Sequence, residues 1–542
     1  MERLAIRLEA DPRNATAAST EQAAARWLVA LVAVGVLARV LRYGLGFALW
    51  EDEAFLVVNL FEKSFGELLG PLDFIQLAPP LWLFAEKAVA ELLGFSESSL
   101  RLVALVSSLA SLALFVALVR RVLAGWEATF AVGMLAVSYP CVRYAAEAKP
   151  YGVDLLVSVG LLLAAVRLAE EAWPSRWFVL AALLAVGPWL SFPSVFVGGG
   201  VVLLGLFRAL GSAGPGNRMA AGAPWVASGL LHLSSFLAVQ ACIAGAVRPV
   251  LPWMQVFWAD AFPPLATPLS LPLWLLRSLT GPLLAFPVGG VAGGSVVTTV
   301  AVFAGAVALA RSSRRPLLAL CTLPFALHLA AASLHRYPFG GHVKLSLYAA
   351  PLVSILAAAA LASLARRRAG AGRWANLDGR AVAALLLVVG FGVLVRDLVW
   401  PHKNPSDEAA RRFAREFWAA AALDAETVCL ASDLGISFQP EVRSRLSWFA
   451  TYRANQILYS PRHGLREVPR LDRVSAGRPL LVVEYRVGAF GYDERGLRHW
   501  LDAMREKLDL VEEKRIPVKR HDQHGRRLVA TDEIVLRRFV PR

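Results

Sequence analysis

The feature that most limits what this chain can become is a succession of long apolar runs before residue 400. They lie at about 26–47, 100–119, 125–142, 152–168, 177–192, 194–208, 225–247, 293–310, 316–334, 345–365 and 380–397. A helix crossing the hydrocarbon core of a bilayer needs about 20 mostly apolar residues, and in lipid every backbone polar group must be satisfied internally. The runs are continuous rather than alternating, so they read as helices: an α-helical polytopic membrane protein of about 11 spans. The runs 177–192 and 194–208, set around Pro188 and Pro193, are short for straight spans. With 57% hydrophobic and 18% charged residues, against roughly 45–50% and 25% in soluble domains, the chain is no ordinary water-soluble enzyme. Cys141, Cys242, Cys321 and Cys429 are far apart and form no C-x-x-C, which indicates neither a zinc site nor a disulfide framework.

Residues 1–25 are polar and read as a cytoplasmic tail before an uncleaved first span. The segment PPLWLFAEKAVAELLG, Pro79 to Gly94, is ambiguous by hydropathy. Its charges Glu86, Lys87 and Glu91 fall within about 140° of one another at ~100° per residue. That leaves Trp82, Leu83, Phe84 and Leu93 for apolar contact, as in an interfacial helix lying flat. Keeping this helix outside the membrane puts Arg120-Arg121, Arg314-Arg315 and Arg366-Arg367-Arg368 on the side of the N-terminus, which the positive-inside rule makes cytoplasmic. The expected localisation is a cytoplasmic (inner) membrane, N-in and C-out. The opposite, extracytoplasmic side then carries the first outer loop (48–99), the turn around 143–151, a Pro- and Trp-rich loop (248–292), His335–Lys344 and everything after 398. Residues 398–542 mix helix-like PHKNPSDEAARRFAREFWAAA and ERGLRHWLDAMREKL with strand-like TVCLAS, PLLVVEY and RRLVATDEIVLRRF, a small soluble α/β domain after the transmembrane domain 26–397. The net charge of +15 is spread in short clusters between apolar runs, so no nucleic-acid partner is indicated. Neither G-x-G-x-x-G nor a P-loop is present, which speaks against direct nucleotide chemistry.

Three charged clusters fall on the outer side. Glu51-Asp52-Glu53 opens the first outer loop; such acids at a membrane surface are solvated, paired or used, and a carboxylate aimed at a hydroxyl is what a general base requires. Tyr144 to Tyr151 places Glu147 and Lys149 beside Arg143 and aromatic rings, an arrangement suited to an acceptor site or equally to an aromatic belt with paired charges. His335-Arg336-Tyr337-Pro338-Phe339-Gly340-Gly341-His342-Val343-Lys344 gathers four basic groups around Pro and Gly-Gly, suited to a phosphate or to lipid headgroups. Arg39 and Arg42, near the outer end of the first run, are expected to neutralise nearby acids or reach headgroups.

The order Trp50-Glu51-Asp52-Glu53-Ala54, then Ala78-Pro79-Pro80-Leu81 with Gly94, Glu97 and Leu100-Arg101-Leu102, then Arg143-Tyr144 with Glu147-Ala148-Lys149-Pro150-Tyr151 resembles the GT-C integral-membrane glycosyltransferases. Arg336 to Gly341, followed by a span with Pro351, is similar to the bacterial group of protein O-mannosyltransferases and aminoarabinose transferases. The resemblance covers roughly residues 26–400. It implies transfer of a sugar, with inversion, from a polyprenyl-phosphate carrier to a glycan, lipid or protein of the cell envelope. It also implies Asp52 as general base with Glu53 as its catalytic companion. Glu147 and Tyr151 would lie near the acceptor or a metal, and Lys149, Arg336, His335 and Lys344 would hold the donor phosphate. A divalent Mg or Mn between Asp52 and Glu147 stays open. The chain departs from the pattern at Gln76-Leu77-Ala78, where relatives often carry a basic or His residue, and at Lys149, where many carry Arg, keeping charge without bidentate geometry. Two other classes compete: a transporter or flippase of a lipid-linked or anionic envelope precursor, and a membrane scaffold whose C-terminal domain binds a partner. A transporter calls for mid-membrane charges and inverted repeats, and here the charges gather at the ends of the runs.

Overall fold

The computed structural model describes residues 12–289, 294–368, 375–400, 404–420, 426–430, 440–460, 479–486, 494–521 and 527–542. Every predicted apolar run contains a helix. In chain order these are α1 (Pro12–Gly44), the loop helices α2 (Glu51–Glu62) and α3 (Pro80–Leu93), α4 (Ser99–Val122), α5 (Gly125–Ala136), α6 (Tyr139–Arg143), α7 (Tyr151–Glu170), α8 (Pro174–Leu190), α9 (Ser194–Ser212) and α10 (Arg218–Cys242). They continue with the loop helices α11 (Ala244–Phe257) and α12 (Leu271–Thr280), then α13 (Gly294–Ala310), α14 (Arg315–Ser333), α15 (Ala350–Arg368) and α16 (Ala375–Val399). Among the described residues, eight helices are long and apolar enough to cross a membrane, and α8 and α13 are apolar helices of 10–17 residues. The chain is a multi-pass membrane protein.

Two boundaries differ from expectation. Helix begins at Pro12, so the second half of the expected tail continues into the first span. The run 125–142 is broken at Val137–Ser138, and Pro140 sits in the first turn of the short α6. A proline lacks the N–H a continuing helix needs and is tolerated at a new helix start.

Small residues let the spans approach closely. A Cβ on Gly152 of α7 would come within 2.9 Å of the Ala104 carbonyl oxygen of α4, and one on Gly35 of α1 within 2.7 Å of that of Ala136 in α5. Arg121 pairs with Glu170, and Arg314 with Glu127, joining the end of α4, the end of α7, the start of α5 and the start of α14 at one end of the bundle. The starts of α4 and α7 lie at the other end.

Helix α3 is not among the spans, but part of the charged arc expected to face water is buried. Trp82 and Leu83 are buried as predicted, yet so are Glu86 and Lys87, while Leu81, Leu92 and Leu93 are exposed. Lys87 is satisfied by the Leu60 carbonyl at 2.8 Å and by Glu91 at 3.0 Å. Neither carboxyl oxygen of Glu86 has a hydrogen-bond partner among the described residues. Burial, then the charge of Glu53, holds this carboxyl well above the usual range. A raised folded-state value means stability that is present in acid and lost as pH rises past the ordinary glutamate range. Glu86→Gln should therefore flatten the fall in apparent Tm between about pH 5 and pH 8; an unchanged slope would contradict a protonated Glu86.

Beyond the spans, α17 (Pro405–Ala420), β1 (Glu426–Leu430), α18 (Pro440–Tyr459), β2 (Leu480–Arg486), α19 (Glu494–Lys507), β3 (Leu508–His521) and β4 (Leu528–Pro541) form the expected α/β domain. The sheet order is β1-β2-β4-β3, with β1 parallel to β2 and the other pairs antiparallel. Strand β3 and helix α18 were not anticipated. β3 is charged and contains Pro517, which an edge strand pairing with β4 alone tolerates. The domain rests on the loop between α1 and α4. Phe61 and Phe74 join Phe417, Tyr452 and Ile457 in one apolar cluster, Arg453 of α18 grips Glu62 of α2 at 2.6 Å, and Arg411 of α17 donates to the Gly46 carbonyl at 2.6 Å.

Candidate active site

Trp50 is extended (φ −94°, ψ 166°) and α2 starts at Glu51, so the three acids fill its first turn. Carboxylates are favoured there by the positive end of the helix dipole. Consecutive helical residues diverge by ~100°, and Asp52 and Glu53 accordingly address different partners.

Glu53 is fully buried. Its carboxylate accepts Arg101 Nε at 2.7 Å and Nη2 at 2.6 Å, and the Ala148 N–H at 2.8 Å. Arg101 also donates to the Phe47 carbonyl at 2.5 Å and the Ala48 carbonyl at 3.3 Å. One ion pair thus fastens the link between α1 and α2, the start of α4 and the turn before α7. In this structure the oxygens of Glu53, expected as the catalytic companion of Asp52, are engaged in that brace.

Asp52 lies between two lysines, with Lys344 Nζ 2.7 Å from Oδ2 and Lys149 Nζ 3.4 Å from Oδ1. Its side chain is 14% exposed, so the group remains reachable. Lys149 donates to Gln76 Oε1 at 2.9 Å. Burial pushes the Lys149 ammonium below the usual lysine range, with Asp52 working against it. Lys344 also sits 6.0 Å from the centre of the Tyr151 ring, which meets Tyr144 edge-on at 5.0 Å. Glu147 is held by Arg143 at 2.7 Å, and that guanidinium lies over the rings of Trp50 and Tyr144.

The third cluster divides. Gly340 (φ 92°) and Gly341 (φ 73°) take left-handed conformations that favour glycine, and the chain turns between Arg336 and Lys344. Lys344 reaches Asp52, with its N–H donated to His342 Nδ1 at 3.2 Å. His335 and Arg336 are exposed, His335 packing on Phe262, and neither pairs with Asp52 among the described residues. Among the four residues offered for the donor phosphate, Lys149 and Lys344 are therefore the ones beside Asp52. Arg39 and Arg42 likewise do not neutralise the loop acids: Arg39 caps the carbonyls of Leu135 and Ala136, and Arg42 pairs with Asp397 at 2.6 Å.

Each Asp52 oxygen faces an ammonium and Glu147 faces a guanidinium, and no group of three His, Cys, Asp or Glu capable of holding a metal occurs among the described residues. The pairing of Arg143 with Glu147 is the paired-charge reading of that segment, whereas sequence reasoning gave no role to Arg101 or Gln76, which hold Glu53 and Lys149; the order of the motif containing Arg101 was the available signal.

The structure is thus a helical bundle with a carboxylate between two cations at one end and a small α/β domain packed against its first loop. The family described as dolichyl-phosphate-mannose-protein mannosyltransferase matches residues 77–241. The structure of ArnT from Cupriavidus metallidurans bound to undecaprenyl phosphate is similar with a TM-score of 0.53 at 14% identity, over 94% of this chain and 98% of that one. The apo state of that protein matches with a TM-score of 0.52, again at 14% identity, over 95% of this chain and 98% of that one. An oligosaccharyltransferase from Archaeoglobus fulgidus matches more weakly, with a TM-score of 0.46 at 10% identity, over 84% of this chain and 65% of that one. No curated protein matches the sequence. The chain has the GT-C fold of integral-membrane glycosyltransferases.

Proposed function

We propose that this protein transfers a sugar, with inversion, from a polyprenyl-phosphate carrier to a hydroxyl or amine of a cell-envelope glycan, lipid or protein, at the extracytoplasmic face of a cytoplasmic membrane. The observation that carries the reading is the Asp52 carboxylate between Lys149 and Lys344, at the bundle end opposite the arginine pairs. The fold likeness to ArnT, solved with undecaprenyl phosphate, supports a lipid-phosphate donor.

In this mechanism the acceptor oxygen or nitrogen gives its proton to Asp52 as it attacks the anomeric carbon. The bond from that carbon to the phosphate oxygen breaks, and the phosphate keeps the electron pair. A phosphate leaving group needs cationic stabilisation more than a general acid, which is the part of Lys149 and Lys344. Base and leaving group must lie on opposite faces of the sugar, so donor entry draws the ammoniums away from the Asp52 contacts seen here. Glu147 and Tyr151 border the acceptor side.

No step uses a metal, so EDTA treatment should leave the transfer rate unchanged; a loss restored by Mg or Mn would overturn this part. The reading itself is tested with a panel of radiolabelled polyprenyl-phosphate sugars, purified protein and envelope extract. Label transferred to the extract supports it. Labelled lipid crossing reconstituted vesicles without transfer would favour the flippase.

A further inference from the structure

We propose that His328 is a positioning residue for the donor site, closing the segment that carries Lys344 at both of its ends. The inference rests on the reading that Lys344 holds the donor phosphate. His328 lies in α14 and is fully buried, ten residues before the proline it contacts. After α14 the chain reverses, with His335 at φ 54°, and returns over the helix end.

The imidazole makes one hydrogen bond with each of its nitrogens. Nε2 lies 2.8 Å from the Pro338 carbonyl oxygen, and Nδ1 lies 2.8 Å from the Tyr348 hydroxyl. A carbonyl can only accept, so Nε2 carries the proton and Nδ1 is left to accept from Tyr348. Pro338 and Tyr348 bracket the stretch that contains Gly340, Gly341 and Lys344. The two bonds therefore set the span of that stretch, as a clasp sets the span of a loop.

Other contacts fix the clasp within the bundle. Ser158 Oγ of α7 donates to the Tyr348 carbonyl at 2.7 Å, and Tyr337 Oη donates to the Leu345 carbonyl at 3.1 Å. The ring stacks on Phe196 (4.9 Å between centroids, 14° between planes) and meets Tyr337 and Phe339 edge-on. A ring without nitrogens at this position would fill the space but leave the Pro338 carbonyl and Tyr348 hydroxyl unpaired among aromatic side chains. The segment would then be free to relax, and Lys344 would lose its fixed reach to the site.

The test uses the full chain in detergent, with undecaprenyl phosphate as the probe. His328→Phe keeps the ring volume and removes both bonds; Tyr348→Phe removes one and keeps the fold in hand if the first variant does not express. Expected is a loss of affinity of about tenfold for His328→Phe, as for two ordinary hydrogen bonds, and a smaller loss for Tyr348→Phe. His328→Gln, which retains an N–H able to reach Pro338, should recover part of the loss. A lower Tm with unchanged affinity of the folded fraction, or unchanged affinity in both Phe variants, overturns the positioning role. Wild-type protein that does not bind undecaprenyl phosphate overturns the donor reading instead. Labelled-histidine NMR separates the two, because the Nε2–H form of His328 is expected whether or not the carrier binds.

Discussion

Asp52→Asn should lower transfer by about 10²–10⁴-fold, the contribution of a positioned general base, while carrier binding stays the same or tightens. The substitution preserves shape and hydrogen bonding but removes the charge that the acceptor proton would meet. The second half of the expectation comes from the contacts of Asp52, which occupies the ammoniums of Lys344 and Lys149 at 2.7 and 3.4 Å. With its charge gone, a carrier phosphate no longer competes for them. Transfer and undecaprenyl phosphate binding, measured side by side, check both halves. Full activity in the variant would remove Asp52 from the chemistry, and a loss of binding would make it a donor contact.

The largest structural effect is expected at the pair that aims Asp52 without touching the substrate. Arg101→Met leaves the Glu53 carboxylate buried and unpaired, and Glu53→Gln leaves an uncompensated guanidinium; removing one partner of a buried pair costs about 3–5 kcal/mol. The Arg101→Met/Glu53→Gln double variant should cost less than the sum of the two, because neither charge then lacks its partner through truncation alone. Apparent Tm in detergent reports the coupling. Additive losses would mean that the contacts at 2.6 and 2.7 Å contribute no more than packing.

Parts of the site were legible in advance because helix periodicity and charge clustering are local. Glu51-Asp52-Glu53 at the exit of a span, Lys149 before the proline that starts α7, and the basic stretch ending at Lys344 all stand out in the sequence. The basic stretch offered His335, Arg336 and Lys344 as equivalents. Which of them reaches Asp52 depends on the left-handed Gly340 and Gly341 and on how the segment returns across α14, and no local pattern reports that return. The buried face of α3 was misread for a related reason. Its charged arc looks like a face for water until Leu60 offers Lys87 a carbonyl from another helix.

Hydropathy alone settles that this chain enters a membrane as a helical bundle, since about 20 apolar residues in a row have few other soluble fates. The arginine pairs and the amphipathic 79–94 segment give an expectation of which ends of the helices belong together, and the motif order points to the class of chemistry. Tertiary structure alone decides that Asp52 faces the lysines while its neighbour Glu53 braces Arg101. The two carboxylates are chemically alike and adjacent. A turn of ~100° between them, and partners brought from 48 and 292 residues away, divide their roles through packing that no single segment encodes.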